Sequence, residues 1–199
     1  MNAPAHPLLR EPVRNLLSGT DAVVQLLIEQ KRRDHAAGLC TAGFVSGYRG
    51  SPLGTLDMAL WSAQAALKQH DIHFWPGINE DLAATALWGS QYVGQVQGGF
   101  PGARVDGVFG LWYGKGPGVD RSVDALKHGN VAGTSPLGGA LVLAGDDHAA
   151  KSSTTAHQSE QTLIAAGIPV LYPSNVQDIV HLGLHGLAMS RHSGCWVGL

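Results

Sequence analysis

Three short apolar runs, each delivered into a turn that mixes glycine with polar side chains, limit what this chain can fold into. Thr41–Ser46 runs into Gly47-Tyr48-Arg49-Gly50-Ser51-Pro52. Val105–Trp112 runs into Gly114-Lys115-Gly116-Pro117-Gly118, and Gly139–Ala144 into Gly145-Asp146-Asp147-His148. Apolar runs this short, without polar alternation, are strands covered on both faces, which is the habit of parallel sheets. His73-Phe74-Trp75, Pro169-Val170-Leu171-Tyr172 and Cys195-Trp196-Val197 read as further, briefer strands.

Helical segments fill the intervals. Ser18-Gly19-Thr20-Asp21 caps a helix that closes near Gly38. Leu53 to Gln69 places Leu53, Leu56, Leu60, Ala63 and Leu67 at helical spacing. Asn79 caps a long apolar helix running from Leu82 to Val96, with Glu80 and Asp81 in its first turn. Further helices are expected around Asp120–Val131, in a short stretch after Glu160, and from Val176 to about Ser190 behind Pro173-Ser174-Asn175. The alternation predicts a doubly wound α/β fold, a mainly parallel sheet of about six strands with helices on both faces. Residues 1–17, with two prolines in Met1 to Glu11 and a third at Pro12, read as a flexible lead-in, and 18–199 as one domain.

Composition excludes several classes. A formal charge of −2 leaves no basic stripe for nucleic acid. Cys40 and Cys195 are isolated, so the segment has no zinc or iron–sulfur ligand set of its own. No apolar run is long enough for a bilayer and no signal peptide is evident, so no membrane role and a cytoplasmic setting are expected. With only 14% charged residues the solvated surface is small, and partners or further domains are expected to cover much of it.

In parallel α/β sheets ligands gather at the carboxyl ends of the strands. Each segment there has a plain structural reading beside a functional one. Gly47–Gly54 can let a ligand approach the backbone, with Ser51 donating a hydrogen bond and Arg49 pairing with a carboxylate. It is equally an ordinary strand-to-helix turn, with Ser51 as cap and Pro52 as first helical residue. It lacks the GxxxxGK[ST] pattern of a phosphate loop. Lys115 can hold an anion or be a solvated loop lysine. Asp146, Asp147 and His148, with Lys151 to Thr155 and His157, form the densest polar cluster, but their spacing matches no metal site, and no GxSxG elbow exists for a triad hydrolase. Asp120, Arg121, Asp124, Lys127 and His128 read as an exposed helix face, and His181, His185 and His192 as helix-surface residues. Glu80 is either helix-start chemistry or an acid facing a cofactor ring.

Taken in order, these elements resemble a known family. Gly47-Tyr48-Arg49-Gly50-Ser51-Pro52 is similar to the Tyr-Pro-Gly-Thr-Pro turn of the 2-oxoacid:ferredoxin oxidoreductases, and Asn79-Glu80-Asp81-Leu82-Ala83 to their Asn-Glu-Lys-x-Ala element. Lys115 and its glycines resemble Met-Lys-His-x-Gly. Gly145-Asp146-Asp147-His148-Ala149-Ala150-Lys151-Ser152-Ser153 resembles Ala-Asp-Asp-Pro-Gly-x-x-Ser-Ser, and Pro173-Ser174 falls where the family has Pro-Ser before a helix. The resemblance runs from about Ser18 to Leu199 and is nearest to the indolepyruvate branch in its long fused form. It implies the thiamine-diphosphate pyrimidine-binding domain, with Glu80 as the catalytic contact to N1′ of the aminopyrimidine, and Ser51 and Pro52 beside the cofactor. Arg49, Ser51, Lys115, Asp147 and His148 become candidates for the substrate side. Arg49 stands where the family has proline, and His148-Ala149 where it has Pro-Gly.

The resemblance further implies oxidative decarboxylation of a 2-oxo acid, an aryl pyruvate in the indolepyruvate branch, to an acyl-coenzyme A with electrons passed to ferredoxin, in a homodimer. No Gly-Asp-Gly…Asn pattern for diphosphate and Mg2+ occurs in the chain, nor any cysteine set for 4Fe-4S clusters. Those parts are expected in downstream domains, and the segment alone is expected to be inactive. Two other classes stay open: a thiamine-dependent decarboxylase or transketolase-like enzyme without ferredoxin, and a non-catalytic α/β binding module.

Overall fold

The computed structural model describes residues 17–95 and 101–199. The proposed lead-in, apart from its last residue, and Val96 at the end of the expected apolar helix lie outside the described residues. The elements are α1 (Gly19–Ala36), β1 (Thr41–Gly47), α2 (Leu56–Ser62), α3 (Gln64–Gln69), β2 (Ile72–Phe74) and α4 (Glu80–Ser90), followed by β3 (Gly107–Lys115), α5 (Gly116–Ala132), β4 (Ala140–Gly145), α6 (Ser159–Ala165), α7 (Val176–Ser193) and β5 (Val197–Gly198). All strand pairs are parallel, in the order β2-β1-β3-β4-β5.

The sheet is sandwiched as the sequence predicts, because alternate strand residues face opposite helical layers. Phe109, Leu111 and Tyr113 of β3 and Leu141 and Leu143 of β4 pack with Val24, Leu27, Leu60, Leu67 and Leu184 of α1, α2, α3 and α7. Trp112, Ala140 and Val142 turn the other way, onto Ala83, Leu87, Val119, Leu126 and Leu163 of α4, α5 and α6. Burial of each large apolar side chain contributes about 1.5–3 kcal/mol, so two continuous layers of them hold the sheet without a disulfide.

Local capping agrees with the sequence in three places. Ser18 and Asp21 form a reciprocal capping box. Asn79 accepts the Leu82 N–H at 2.8 Å, and Asn175 accepts that of Asp178 at 2.9 Å. Four expectations are corrected. Among the described residues the sheet has five strands, not about six: the Pro169–Tyr172 segment makes only the isolated bridge Val170↔Gly198, with the Leu171 N–H donating to the Gly198 carbonyl and the Gly198 N–H to the Pro169 carbonyl, and Pro173 follows directly after Tyr172. The Leu53–Gln69 helix is two helices, α2 and α3, broken at Ala63. The apolar helix after Asn79 ends at Ser90, where the Ser90 hydroxyl donates to the Leu87 carbonyl and Gln91 turns in to donate to the Val108 carbonyl. Gly114–Gly118 is not a loop: β3 continues to Lys115 and α5 begins at Gly116, with Pro117 in its first turn, where a missing N–H costs nothing.

At the amino ends of the strands a buried ionic cluster ties three elements together. Arg191 of α7 makes two hydrogen bonds to the Asp34 carboxylate, at 2.7 and 2.8 Å, and Thr41 and Gln30 donate to the same group. Burial pushes the Asp34 pKa up, but these bonds and the Arg191 charge outweigh it and leave the pKa below the usual carboxylate value. Among the described residues no helix is long and apolar enough to cross a membrane.

Candidate functional site

The strand order reverses direction between β1 and β3: the chain leaves β1 for the outer strand β2 and returns past β1 to β3. This switch point is where open α/β sheets take their ligands, at the carboxyl edge of the sheet. The turn Gly47–Pro52 lies on one side of it and Lys115–Gly118 on the other.

Backbone contacts close this region into one unit. The Gly77 N–H donates to the Gly47 carbonyl at 2.9 Å, tying the end of β2 to the end of β1, and the Tyr48 N–H donates to the Tyr113 carbonyl of β3 at 3.1 Å. Gly47 sits so close to Tyr113 that any Cβ would collide with its carbonyl, so glycine is required there. Gly50 faces the Lys115 stem. Lys115 is half-buried, and its ammonium donates to the Ser152 carbonyl at 3.0 Å, which brings in the segment after β4. That segment is held by its own acids. Asp147 accepts from the Lys151 and Ser152 N–H groups and the Ser152 hydroxyl, Asp146 accepts from Ser159, and His157 meets Asp120 at 2.9 Å. The Ser152 N–H foremost holds the Asp147 carboxyl below its ordinary pKa.

Glu80 is the first residue of α4 and is half-buried. Trp112, from the fully buried middle of β3, donates its indole N–H to the Glu80 carbonyl at 2.8 Å. The helix start is thereby fixed to the sheet from below, and Asn79 caps it from in front. The Glu80 side chain lies against the first turn of α5, over Gly118. Among the described residues its carboxylate accepts no hydrogen bond, in contrast to Asp34, Asp146 and Asp147. A carboxylate left without a protein donor at the carboxyl edge of a sheet and at a helix N-terminus can bind or exchange a proton with a ligand. Between α4 and the segment that follows β2, a cavity of about 140 Å³ is lined by Ser46, Trp75, Gly77, Ile78, Leu82 and Ala83.

The sequence candidates thus divide. Glu80, Lys115 and the Ser152–Asp147 turn share the linked carboxyl edge. Arg49, Ser51 and Pro52 are exposed on the turn after β1. The capping expectation for Ser51 and Pro52 is corrected: α2 starts at Leu56 behind Thr55, and the Ser51–Pro52 bond is cis. The Arg49 charge nonetheless reaches Tyr113, where it opposes the rise in phenol pKa caused by burial and by the hydrogen bond to Asp57 at 2.5 Å. His148 belongs elsewhere, lining a separate cavity of about 270 Å³ with Asp146, Ser159, Glu160 and Tyr172. Asp120, Arg121, Asp124, Lys127, His128, His181, His185 and His192 are helix-surface residues, as expected, apart from the contact of Asp120 to His157. Among the described residues no three His, Cys, Asp or Glu side chains gather as a metal-ligand set. Sequence reasoning missed Trp112, Tyr113 with Asp57, and Gly118. Only Gly118 left a signal, a glycine in the first turn of a helix where no turn demands one.

No protein-family model matches the chain, and no curated protein matches it in sequence. Among solved structures the fold is similar to that of the 2-oxoglutarate:ferredoxin oxidoreductase from Magnetococcus marinus with 2-oxoglutarate, coenzyme A and succinyl-CoA bound. The TM-score is 0.63 at 19% sequence identity over 92% of this chain. The chain spans 28% of the length of that protein. At this identity the likeness is one of fold.

Proposed function

We propose that this chain is the pyrimidine-binding domain of a thiamine-diphosphate-dependent 2-oxoacid:ferredoxin oxidoreductase, with Glu80 as the acid that meets the aminopyrimidine. The observation that carries the reading is the Glu80 carboxylate itself: anchored by its backbone, half-buried, and without a donor among the described residues. The shared fold with a 2-oxoglutarate:ferredoxin oxidoreductase supports it, as does the order of sequence motifs along the carboxyl edge.

Thiamine diphosphate, when bound, supplies a thiazolium carbon acid that adds to the 2-oxo carbon and takes up the electron pair released on decarboxylation. The chain's own contribution is proton management. Glu80 holds a proton at its carboxyl against the ring nitrogen N1′, which favours the tautomer able to accept a proton at the 4′-nitrogen. Ile78 and Leu82, exposed beside the helix start, are placed to be covered by a second domain, which would keep water from that contact. Ser51 and Pro52 border the cofactor side of the switch point, and Arg49 and Lys115 offer cations to the carboxylate of a 2-oxo acid. The Asp147 turn positions Lys115 through Ser152.

On this reading the chain is one domain of a larger enzyme and does not turn over alone. Trp75, Ile78 and Leu82 surround the Glu80 corner yet are exposed, Ile78 by 85%, so that corner is the face on which a second domain brings diphosphate and Mg2+. The 4Fe-4S clusters, coenzyme A, ferredoxin and the homodimer contacts belong to other parts of the enzyme, and the substrate is a 2-oxo acid, an aryl pyruvate such as indolepyruvate in the nearest branch. Glu80→Gln in the full chain is expected to lower turnover by about 10²–10⁴-fold with the fold intact. Turnover near that of the parent enzyme would refute the assignment. Electron transfer to ferredoxin in the same assay separates this reading from a non-oxidative thiamine enzyme.

A further inference from the structure

We infer that Gly118 is a positioning residue for Glu80: the bare backbone of α5 at that point is the space in which the Glu80 carboxyl is seated. The inference rests on the Glu80 reading above and goes beyond it by assigning a role to a residue on a different element. Gly118 lies in the first turn of α5 with ordinary helical backbone, so it is not there for a turn or a left-handed conformation. Glycine inside a helix costs about 1 kcal/mol relative to alanine, so something other than backbone geometry keeps it. A Cβ at residue 118 would lie 2.7 Å from Glu80 Cγ, 2.8 Å from Oε1 and 3.0 Å from Cδ. All three of the nearest atoms belong to one side chain, and none to the backbone of either helix.

What would yield is therefore the carboxyl and not the helix pair. The Glu80 main chain is held by the Trp112 indole on its carbonyl, and its helix start by the Asn79 cap. A methyl group at 118 leaves those anchors intact and forces the acid to swing out of the seat between α4 and α5. The expected signature separates stability from function: alanine at 118 suits the helix and displaces the acid.

The test is a double-mutant cycle on the full chain, reading thiamine diphosphate affinity and the thermal midpoint of the cofactor-free protein. Gly118→Ala is expected to weaken cofactor binding by about 10–10²-fold, the scale of one lost hydrogen bond to a charged group, with a midpoint equal to or above that of the parent. In a Glu80→Ala background the same change should alter affinity by less than about twofold, because the group it acts through is gone. Parent-like affinity in Gly118→Ala, or an equal loss in both backgrounds, overturns the inference. Should Gly118→Ala alone fail to fold, adding Glu80→Ala must restore folding, since it removes the atoms struck; no restoration also overturns it. Glu80→Ala binding the cofactor as the parent does would sink the Glu80 reading and this inference together. Weakened Glu80→Ala beside parent-like Gly118→Ala would sink the inference alone.

Discussion

Two carboxylates at opposite ends of the same sheet show how differently this molecule treats acids. At the amino ends of the strands, Asp34 is buried and accepts from Arg191 twice, from Thr41 and from Gln30. At the carboxyl ends, Glu80 is held only through its backbone and accepts from no described residue. A buried charge is tolerated when its oxygens are satisfied, and the Asp34 cluster meets that condition by joining α1, β1 and α7. The Glu80 corner does not, and its remaining capacity is what a ligand can use. One end of the sheet serves cohesion; at the other, an acid is left free of protein donors among the described residues.

Mutation can break the contrast. Asp34→Ala leaves the Arg191 guanidinium buried without its partner and is expected to cost about 3–5 kcal/mol in urea denaturation. A cost under about 1 kcal/mol would mean that the cluster is no more than a surface ion pair. The same acid sets a pH window. Its folded pKa is depressed, so its contribution is present above the unfolded value of about 3.9 and is lost as pH falls through the folded value. Stability of Asp34→Asn should accordingly fall less steeply than the parent's when titrated below about pH 4. Tyr113→Phe removes the phenol hydrogen bond to Asp57 under the β1 turn and should cost about 1.5 kcal/mol, readable as a lowered thermal midpoint. Asn79→Ala, which strips the α4 cap, should cost about 1 kcal/mol by the same measurement. Glu80→Gln closes the series, with stability expected within about 0.5 kcal/mol of the parent. A large loss there would make Glu80 a structural acid like Asp34 and erase the contrast.

The legible parts of the fold were those written in local physics. β1, β3 and β4 announce themselves as apolar runs bounded by glycine, and Ser18, Asn79 and Asn175 announce their helices by capping. The misreadings share a cause. Gly116, Pro117 and Gly118 look like a loop in composition, yet all three are acceptable in the first turn of a helix, which composition cannot distinguish from a turn. Pro169–Tyr172 is apolar like a strand but is bounded by Pro169 and Pro173, and its pairing stops at one bridge. At the site, Glu80 and Lys115 were visible as polar residues following strands. Trp112 and Asp57 were not, because what matters about them is a partner 32 or 56 residues away. Gly118 was visible only as composition, and its meaning depends on two helices meeting.

The brevity of β2 has a bearing on how this protein behaves when crowded. It is an outermost strand of the sheet and only three residues long, Ile72–Phe74, with β1 as its single neighbour. An open margin of that length presents too few free amide groups for another molecule's strand to zip onto. Concentrated solutions should resist ribbon-like self-assembly from this margin even though the indole of Trp75 protrudes immediately after it.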